Sequence, residues 1–372
     1  MKGRVAVAAR RVSGLSGASR MIVEHARRLT ALGWDVHVFS ESLDKKALRE
    51  AGAVAHRVPA WPWGSWWKRR AFASAAGRMT QGFDLVHGHG DLLSQDILSL
   101  HNCVHAAHEA VHATPLPDRD AVGRMHALQL SRRSFRVLVA NSRLMKDDLR
   151  RRFGVAGENI SVIYPGFDPC RFKPGDRARL GTPAREELGV SSDETLFGLV
   201  TSGDFEKRGL STFLRAFAAA HRDFPRARAL VVGKESRLGP YESLARELGV
   251  RERVAFREPI VEVERYYHAL DAYVHAAPWE EFGMTVLEAL ACGLPVITSG
   301  RVGAAELLEG EARSFVLGEM STDALAGAML DMLGDPRRRT RLGALGPRAA
   351  EPCAWDRGAA TLASLYERLI KK

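Results

Sequence analysis

Short runs of aliphatic and β-branched residues alternate with helical patterns along the whole chain. In the first half, RVAVAA (4–9), DVHVFS (35–40), DLVHGH (84–89), ILSL (97–100), RVLVAN (136–141) and SVIYPG (161–166) predict strands. Between the first two lies SRMIVEHARRLTALG (19–33), an amphipathic helix pattern closed by Gly33. The second half repeats the plan with LFGLVTS, ARALVVG, RVAFRE, DAYVHAAP and LPVITS. Strands that are apolar throughout and separated by amphipathic helices predict parallel sheets covered on both faces. The Pro and Gly residues of YPGFDPCRFKPG (164–175) suit a linker between two such blocks. The fold class is therefore α/β, with two doubly wound Rossmann-like domains facing a central cleft. Ligands are expected at the carboxyl ends of the strands.

Composition narrows this picture. A length of 372 residues suits two domains, and 46% hydrophobic residues can bury two cores, which excludes a disordered chain. Cys103, Cys170, Cys292 and Cys353 lie far apart with no C-x-x-C pair, the pattern of reduced thiols in a cytoplasmic protein. The run VAVAA is too short for a signal-peptide core, and no run approaches a membrane span. The expectation is a soluble protein, peripheral at most on the inner face of the cytoplasmic membrane. The net charge of +10 is unevenly placed. Residues 1–168 carry 25 Lys and Arg against 15 Asp and Glu, whereas the remainder carries 29 of each. The positive half should attract polyanions: nucleic acid, anionic lipid headgroups or a phosphorylated glycolipid.

The segment richest in chemistry is APWEEFGMTVLEALACGLPVITSG (277–300). A strand ends at Pro278, the loop WEEFGMT follows, and a short helix runs from about Val286 to Gly293. Gly283 would let backbone approach a ligand, and amides before the helix would make an anion site. Glu280 in the loop and Glu288 in the first helical turn can reach one cleft. By itself, Glu288 could equally be a residue that favours a helix N-terminus.

Glu280 and Glu288 around FGMTVL, followed by ALACGLPVI, resemble the E-x7-E signature of retaining family 4 glycosyltransferases of the GT-B fold. Other segments resemble that family in the same order. SGASR (16–20) resembles its glycine-rich loop, DLVHGH its D-V-V-H strand, and ANSRLMKDDL its serine-bearing helix start. VIYPGFDPCRF resembles the interdomain segment and SGDFEKRGL the phosphate-binding turn. GRVGAAELL resembles the late glycine turn and CAWDRGAATLASLY the returning terminal helix. The branch most similar is the lipopolysaccharide core glucosyltransferase I group. The resemblance implies an acceptor-binding domain at 1–168, joined by a helix at 354–372, and a nucleotide-sugar domain at 169–353.

Carried onto these positions, the resemblance implies that Glu288 holds the ribose hydroxyls of the donor. Glu280 and the segment Phe282, Gly283, Met284 and Thr285 would contact the donor sugar, with Gly17 in the same binding set. Lys207 and Arg208 would neutralise the diphosphate, in place of a metal. Many members carry an Arg where Gly203 stands, and Lys207 is expected to compensate. His101 matches a strand-end His that orients the donor sugar. The donor, a UDP-sugar by preference, is a substrate. No cofactor and no metal are assigned.

HEAVH (108–112) spells the H-E-x-x-H string of zinc proteases. A metzincin would continue with Gly and His where Pro115 and Asp118 stand, and the Glu-bearing helix of a gluzincin is missing. Adventitious metal binding by His105, His108 and His112 on one helical face is the alternative. The string DRD (118–120) resembles a metal-binding D-x-D, but its Pro-flanked setting reads as a solvated turn.

WPWGSWWKRR (61–70) sets four tryptophans beside three cations, a composition suited to an anionic membrane surface. A nucleic-acid partner is not expected, because no RNA or DNA module accompanies it. The leading expectation is a metal-independent hexosyltransferase acting on a lipid-linked anionic glycan, with lipopolysaccharide core as the first guess. Two alternatives are a nucleotide-sugar epimerase of the same fold and a non-catalytic protein that binds anionic surfaces or metal.

Overall fold

The computed structural model describes residues 2–13, 16–62 and 64–371. The chain divides into two compact units, Met1–Gly166 with Trp355–Lys372, and Phe167–Ala354. The crossing at Gly166–Phe167 falls within the 164–175 segment that reads as a linker, and packing fixes the place. Gly166 lies against Trp355 so closely that any side chain there would strike the indole. Phe167 already bridges Ala354, and its amide donates to the Cys353 carbonyl at 3.3 Å.

Among the described residues the main sheet of the first unit has seven strands: β1 Arg4–Ala8, β2 Asp35–Ser40, β3 Val54–Arg57, β4 Leu85–Gly88, β5 Ile97–Ser99, β6 Val137–Ala140 and β7 Ile160–Val162; Arg11–Val12 and Ser42–Leu43 pair as a separate small sheet. Their order across the sheet is β3-β2-β1-β4-β5-β6-β7, and every pairing is parallel. The run 161–166 yields only a short strand, because Pro165 has no amide to give a ladder. The helices that position chemistry here are α1 Gly17–Ala31, α2 Ser65–Met79, α3 Val104–His112, α4 Ala121–Arg132 and α5 Arg143–Phe153. Helix α1 starts where the Ser16 hydroxyl accepts the Ser19 amide at 3.2 Å, a cap of about 1 kcal/mol. It buries Ile22, Ala26 and Leu29 on one face, and the chain turns away at Gly33, where φ is +89°. The C-terminal helix Trp355–Ile370 lays Leu362, Leu365, Tyr366 and Leu369 into the same core. Each buried leucine there contributes about 1.5–3 kcal/mol, so the helix is an integral part of the first unit.

The second unit repeats the winding with β8 Thr195–Gly203, β9 Ala227–Lys234, β10 Val254–Arg257, β11 Ala272–Val274, β12 Val296–Ser299 and β13 Val316–Leu317. Their order is β10-β9-β8-β11-β12-β13, again parallel throughout. Helix α6, Leu210–Asp223, buries Leu210, Phe213, Leu214 and Phe217 at helical spacing against β8 and β9 residues. Helix α7 is Met284–Ala291. Both units are Rossmann-like, and in each the strand order reverses once: between β1 and β4, and between β8 and β11. Crevices at such reversals, beyond the carboxyl ends of the strands, are where doubly wound sheets hold ligands.

Candidate functional site

In the second unit the reversal point is flanked by the turn after β8 and the loop after β11. The turn 204–209 is tied by the Arg208 amide on the Asp204 carbonyl at 3.1 Å and the Gly209 amide on the Glu206 carbonyl at 3.0 Å. Gly209 has φ +69°, and a Cβ there would collide with the Ala276 carbonyl, so only glycine lets the turn rest on the strand end. That close approach brings the Arg208 guanidinium onto the Glu280 carboxylate, with His275 Nε2 at 3.8 Å from the same carboxylate. Lys207 Nζ lies 3.8 Å from Glu281 Oε2. Burial holds the Arg208 guanidinium below the usual arginine range. Burial, reinforced by the charges of Arg208 and Lys207, pushes His275 down to about 3, so it is neutral at pH 7.

The loop itself is stitched to the late glycine turn. The Glu280 amide donates to the Arg301 carbonyl at 3.0 Å, and Gly303 donates back to the Glu280 carbonyl at 3.0 Å. Gly283, φ +93°, caps α7, which starts at Met284, two residues before the predicted position. Glu288 therefore sits in the second helical turn. It is 4% exposed, and its carboxylate accepts the hydroxyl of the fully buried Tyr267 at 2.9 Å. Thr285 Oγ1 accepts from Tyr273 at 2.7 Å. Glu280, Phe282, Gly283, Met284, Thr285 and Glu288 thus occupy one loop-and-helix segment, beside Lys207 and Arg208.

Gly17 and His101 belong to the first unit. A cavity of about 300 Å³ at its reversal point is lined by Arg10 and Arg11 after β1, His89, Gly90 and Asp91 after β4, and His101 and Asn102 after β5. Ser16 and Ala18, on either side of Gly17, close one wall. His101 Nε2 and His89 Nδ1 share a hydrogen bond of 2.6 Å, their rings stacked with centroids 4.9 Å apart. Burial pushes His101 down to about 4 and His89 well below the usual range. His87 has both ring nitrogens engaged, by Tyr366 and Ser99, each at 2.7 Å, a fixed core residue.

The HEAVH string forms α3, which ends at His112 with Ala113 in the left-handed region at φ 54°. Glu109 is taken by Arg152 of α5 in a two-bond fork, both at 2.8 Å. His108 and His112 touch with centroids 4.4 Å apart, whereas His105 packs on Phe153. The shared histidine face is thus not assembled, and among the described residues no group of three ligating side chains could hold a metal. In DRD, Asp120 caps α4 by accepting the Val122 and Gly123 amides at 3.0 and 2.7 Å. The tryptophan stretch is also divided. Trp61 and Trp67 are 48% and 64% exposed, but Trp66 lies under Arg124 at 4.1 Å, and Arg69 turns inward onto Asp91 at 2.7 Å. Trp63 lies outside the described residues.

With this geometry in place, two family descriptions match: Glycosyltransferase Family 4 over residues 15–171 and Glycosyl transferases group 1 over residues 183–348. The chain belongs to glycosyltransferase family 4, with the GT-B fold. A D-inositol 3-phosphate glycosyltransferase of Rhodococcus jostii is 34% identical to this transferase over 68% of its chain, a stretch that spans only 56% of the Rhodococcus protein. D-inositol 3-phosphate glycosyltransferase 2 of Catenulispora acidiphila is 29% identical over 95% of this chain and 90% of its own. Among solved structures, WaaG, a glycosyltransferase involved in lipopolysaccharide biosynthesis, has 20% identity and TM-score 0.79, covering 97% of this chain and 99% of WaaG. Anabaena Alr3699/HepE in complex with UDP and glucose has 18% identity and TM-score 0.79, covering 98% of this chain and 100% of that one. These two likenesses concern the fold.

Several residues of the transferase's two crevices escape the sequence reading. Tyr267, which holds Glu288, carries no motif signal. His275 and His89 end strands that the reading does identify, and a polar residue at the carboxyl end of an otherwise apolar strand is the signal that marks them. Arg69 and Asp91 come from distant segments, and no spacing links them.

Proposed function

We propose that the protein transfers a hexose from a nucleotide-sugar to a hydroxyl of its acceptor with retention at the sugar carbon. The observation that supports this best is the second unit's reversal point, where the Lys207–Arg208 turn and the Glu280–Glu288 segment meet at adjacent strand ends. Glu288, held by Tyr267, binds the paired ribose hydroxyls. Lys207 and Arg208 receive the diphosphate, and their charge offsets the negative charge that grows as the bond from sugar carbon to phosphate oxygen breaks. The acceptor oxygen forms the new bond at the same carbon, and its proton passes to the leaving diphosphate. No protein nucleophile is needed.

The named acceptor of the relatives favours a phosphorylated polyol over lipopolysaccharide core, since the likeness to WaaG reaches only the fold. A donor screen that measures nucleotide diphosphate release from UDP-, GDP- and ADP-sugars tests the reading, with UDP-sugar favoured. Glu288→Ala should abolish donor binding, and unchanged affinity would count against the assignment.

A peripheral membrane role has separate support in the exposed Trp61 and Trp67 beside Lys68. Sedimentation with anionic but not neutral vesicles, weakened by Trp67→Ala and Lys68→Ala, is the expected outcome; equal binding to both vesicle types would remove it. Among the described residues no helix is long and apolar enough to cross a membrane.

A further inference from the structure

WEEFGMT sets two glutamates side by side, and only the first has a task in the transfer just described. The second, Glu281, is 4% exposed. A carboxylate buried to that extent needs an opposite charge to offset its lost hydration. The basic turn supplies it: Lys207 Nζ lies 3.8 Å from Glu281 Oε2, just as Arg208 lies on Glu280. Burial lowers the hold of Arg208 on its proton, and the Glu281 charge is the first influence acting the other way. Two cations thus face two carboxylates, with His275 beside Glu280 neutral. The other carboxylates of the turn, Asp204 and Glu206, are exposed, and Asp204 Oδ1 accepts the Lys207 amide at 3.2 Å.

A diphosphate site gains affinity from an excess of positive charge, and one that balances itself gives affinity up. Glu280 belongs there as a contact to the donor sugar; Glu281 needs another explanation. The reaction itself changes the charge at this point. In a nucleotide-sugar the outer phosphate is esterified and carries a single negative charge. After transfer it is a free terminus with about −1.5 to −2 at pH 7. A carboxylate beside the receiving lysine therefore opposes the product more strongly than the donor, at a separation where charges still interact well above thermal energy.

We propose that Glu281 is a built-in counter-anion, which competes with the nucleoside diphosphate for Lys207 and so discriminates against the product and hastens its release. It acts through Lys207 and is a positioning residue, not a catalytic one. The proposal rests on the transferase reading and adds to it the residue that sets the balance between donor and product. Removing the Glu281 charge leaves Lys207 wholly available, and the species with the more highly charged outer phosphate gains most.

The test is calorimetric titration of UDP, UDP-glucose and uridine into the full chain. Glu281→Gln should tighten UDP by roughly 10- to 100-fold and UDP-glucose by about threefold less, with uridine unchanged. Lys207→Gln should weaken UDP, and adding Glu281→Gln to that variant should restore part of the loss. A carboxylate that only held the lysine in place would give no such recovery. Glu281→Asp, which keeps the charge and draws it back from Lys207, should fall between, and it serves if Glu281→Gln does not fold. Four results overturn the proposal: UDP affinity unchanged or weaker in Glu281→Gln; equal tightening of UDP and UDP-glucose; equal tightening of uridine; or no recovery in the double variant. Failure of the unaltered chain to bind either UDP or UDP-glucose would strike the transferase reading itself, so the two failures are distinguishable.

Discussion

Gly203 stands where the family resemblance leads one to expect an arginine, and its backbone favours glycine instead. Its φ is +146°, and an added Cβ would come closer than 3.0 Å to the carbonyl oxygen of Lys234, a main-chain atom of β9 that cannot swing aside. The variant Gly203→Arg therefore asks β8 and β9 to part at the point where their register already shifts, between Val200 and Gly203. Holding a side chain in a backbone region that only glycine visits freely costs about 1–3 kcal/mol. Separating the strands loses at least one ladder hydrogen bond, about 0.5–1.5 kcal/mol. Together these come to roughly 2–4 kcal/mol, or a fall of about 5–15 °C in unfolding temperature for a unit of this size. Gly203→Ala isolates the Cβ, and it should be destabilised as much as Gly203→Arg when both are followed by thermal unfolding. The arginine should also fail to tighten UDP binding, although it adds a cation near the diphosphate. An alanine variant that unfolds together with the unaltered chain would show the reasoning to be wrong. So would an arginine variant that binds UDP more tightly at unchanged stability.

Tyr267→Phe removes one hydroxyl from a fully buried site without leaving a cavity, and loss of a hydrogen bond to a carboxylate should cost about 1.5–3 kcal/mol in urea unfolding; a cost under about 0.5 kcal/mol would mean that Glu288 is held by other groups. Burial pushes His25, His87 and His126 down to about 3 and His101 to about 4, so the unfolded chain protonates first as pH falls. Their contribution is complete above about pH 6.5 and is lost on acidification toward 4, by about 1.4 kcal/mol per pH unit for each histidine; a urea midpoint that stays constant from pH 7 to pH 5 would contradict this. Glu109→Gln should leave transferase activity within about twofold, because its partner Arg152 forms a partly exposed pair worth about 0–1 kcal/mol. EDTA should likewise leave activity unchanged, and loss on chelation would return the HEAVH helix to consideration.

The winding of both sheets was legible because it is written in local pattern. RVAVAA and LFGLVTS are apolar on both faces, and only strands covered on both sides by helices tolerate that. Boundaries were less legible, because they depend on contacts. Helix α7 begins at Met284 because Gly283 takes up positive φ beside Val302, a neighbour that periodicity does not reveal. The domain crossing is set by Gly166 beneath Trp355, two residues separated by most of the chain. The basic run at 68–70 reads as a single surface patch. The fold separates it, because Asp91 draws Arg69 inward while Arg70 stays near Trp66.

Partners of this kind fall outside local reading for a common reason. Glu109 looks like a general base next to two histidines until Arg152, on another helix, takes both its oxygens. Arg69 looks like a headgroup contact until Asp91 takes one of its nitrogens. In each case the deciding residue lies beyond the reach of helix or strand spacing, and what brings it near is the order of strands in the sheet. Once the reversal points are known, the pairing becomes predictable. The segment after β1 must meet the segment after β4, and the turn after β8 must meet the loop after β11. Applied to this chain, that rule selects 9–11 with 89–91 and 204–209 with 275–283, the segments that hold Arg10 with Asp91 and Arg208 with Glu280. Strand order is thus the missing term between the motifs and the chemistry. A sequence motif can name half of a site, and the fold decides what the other half is.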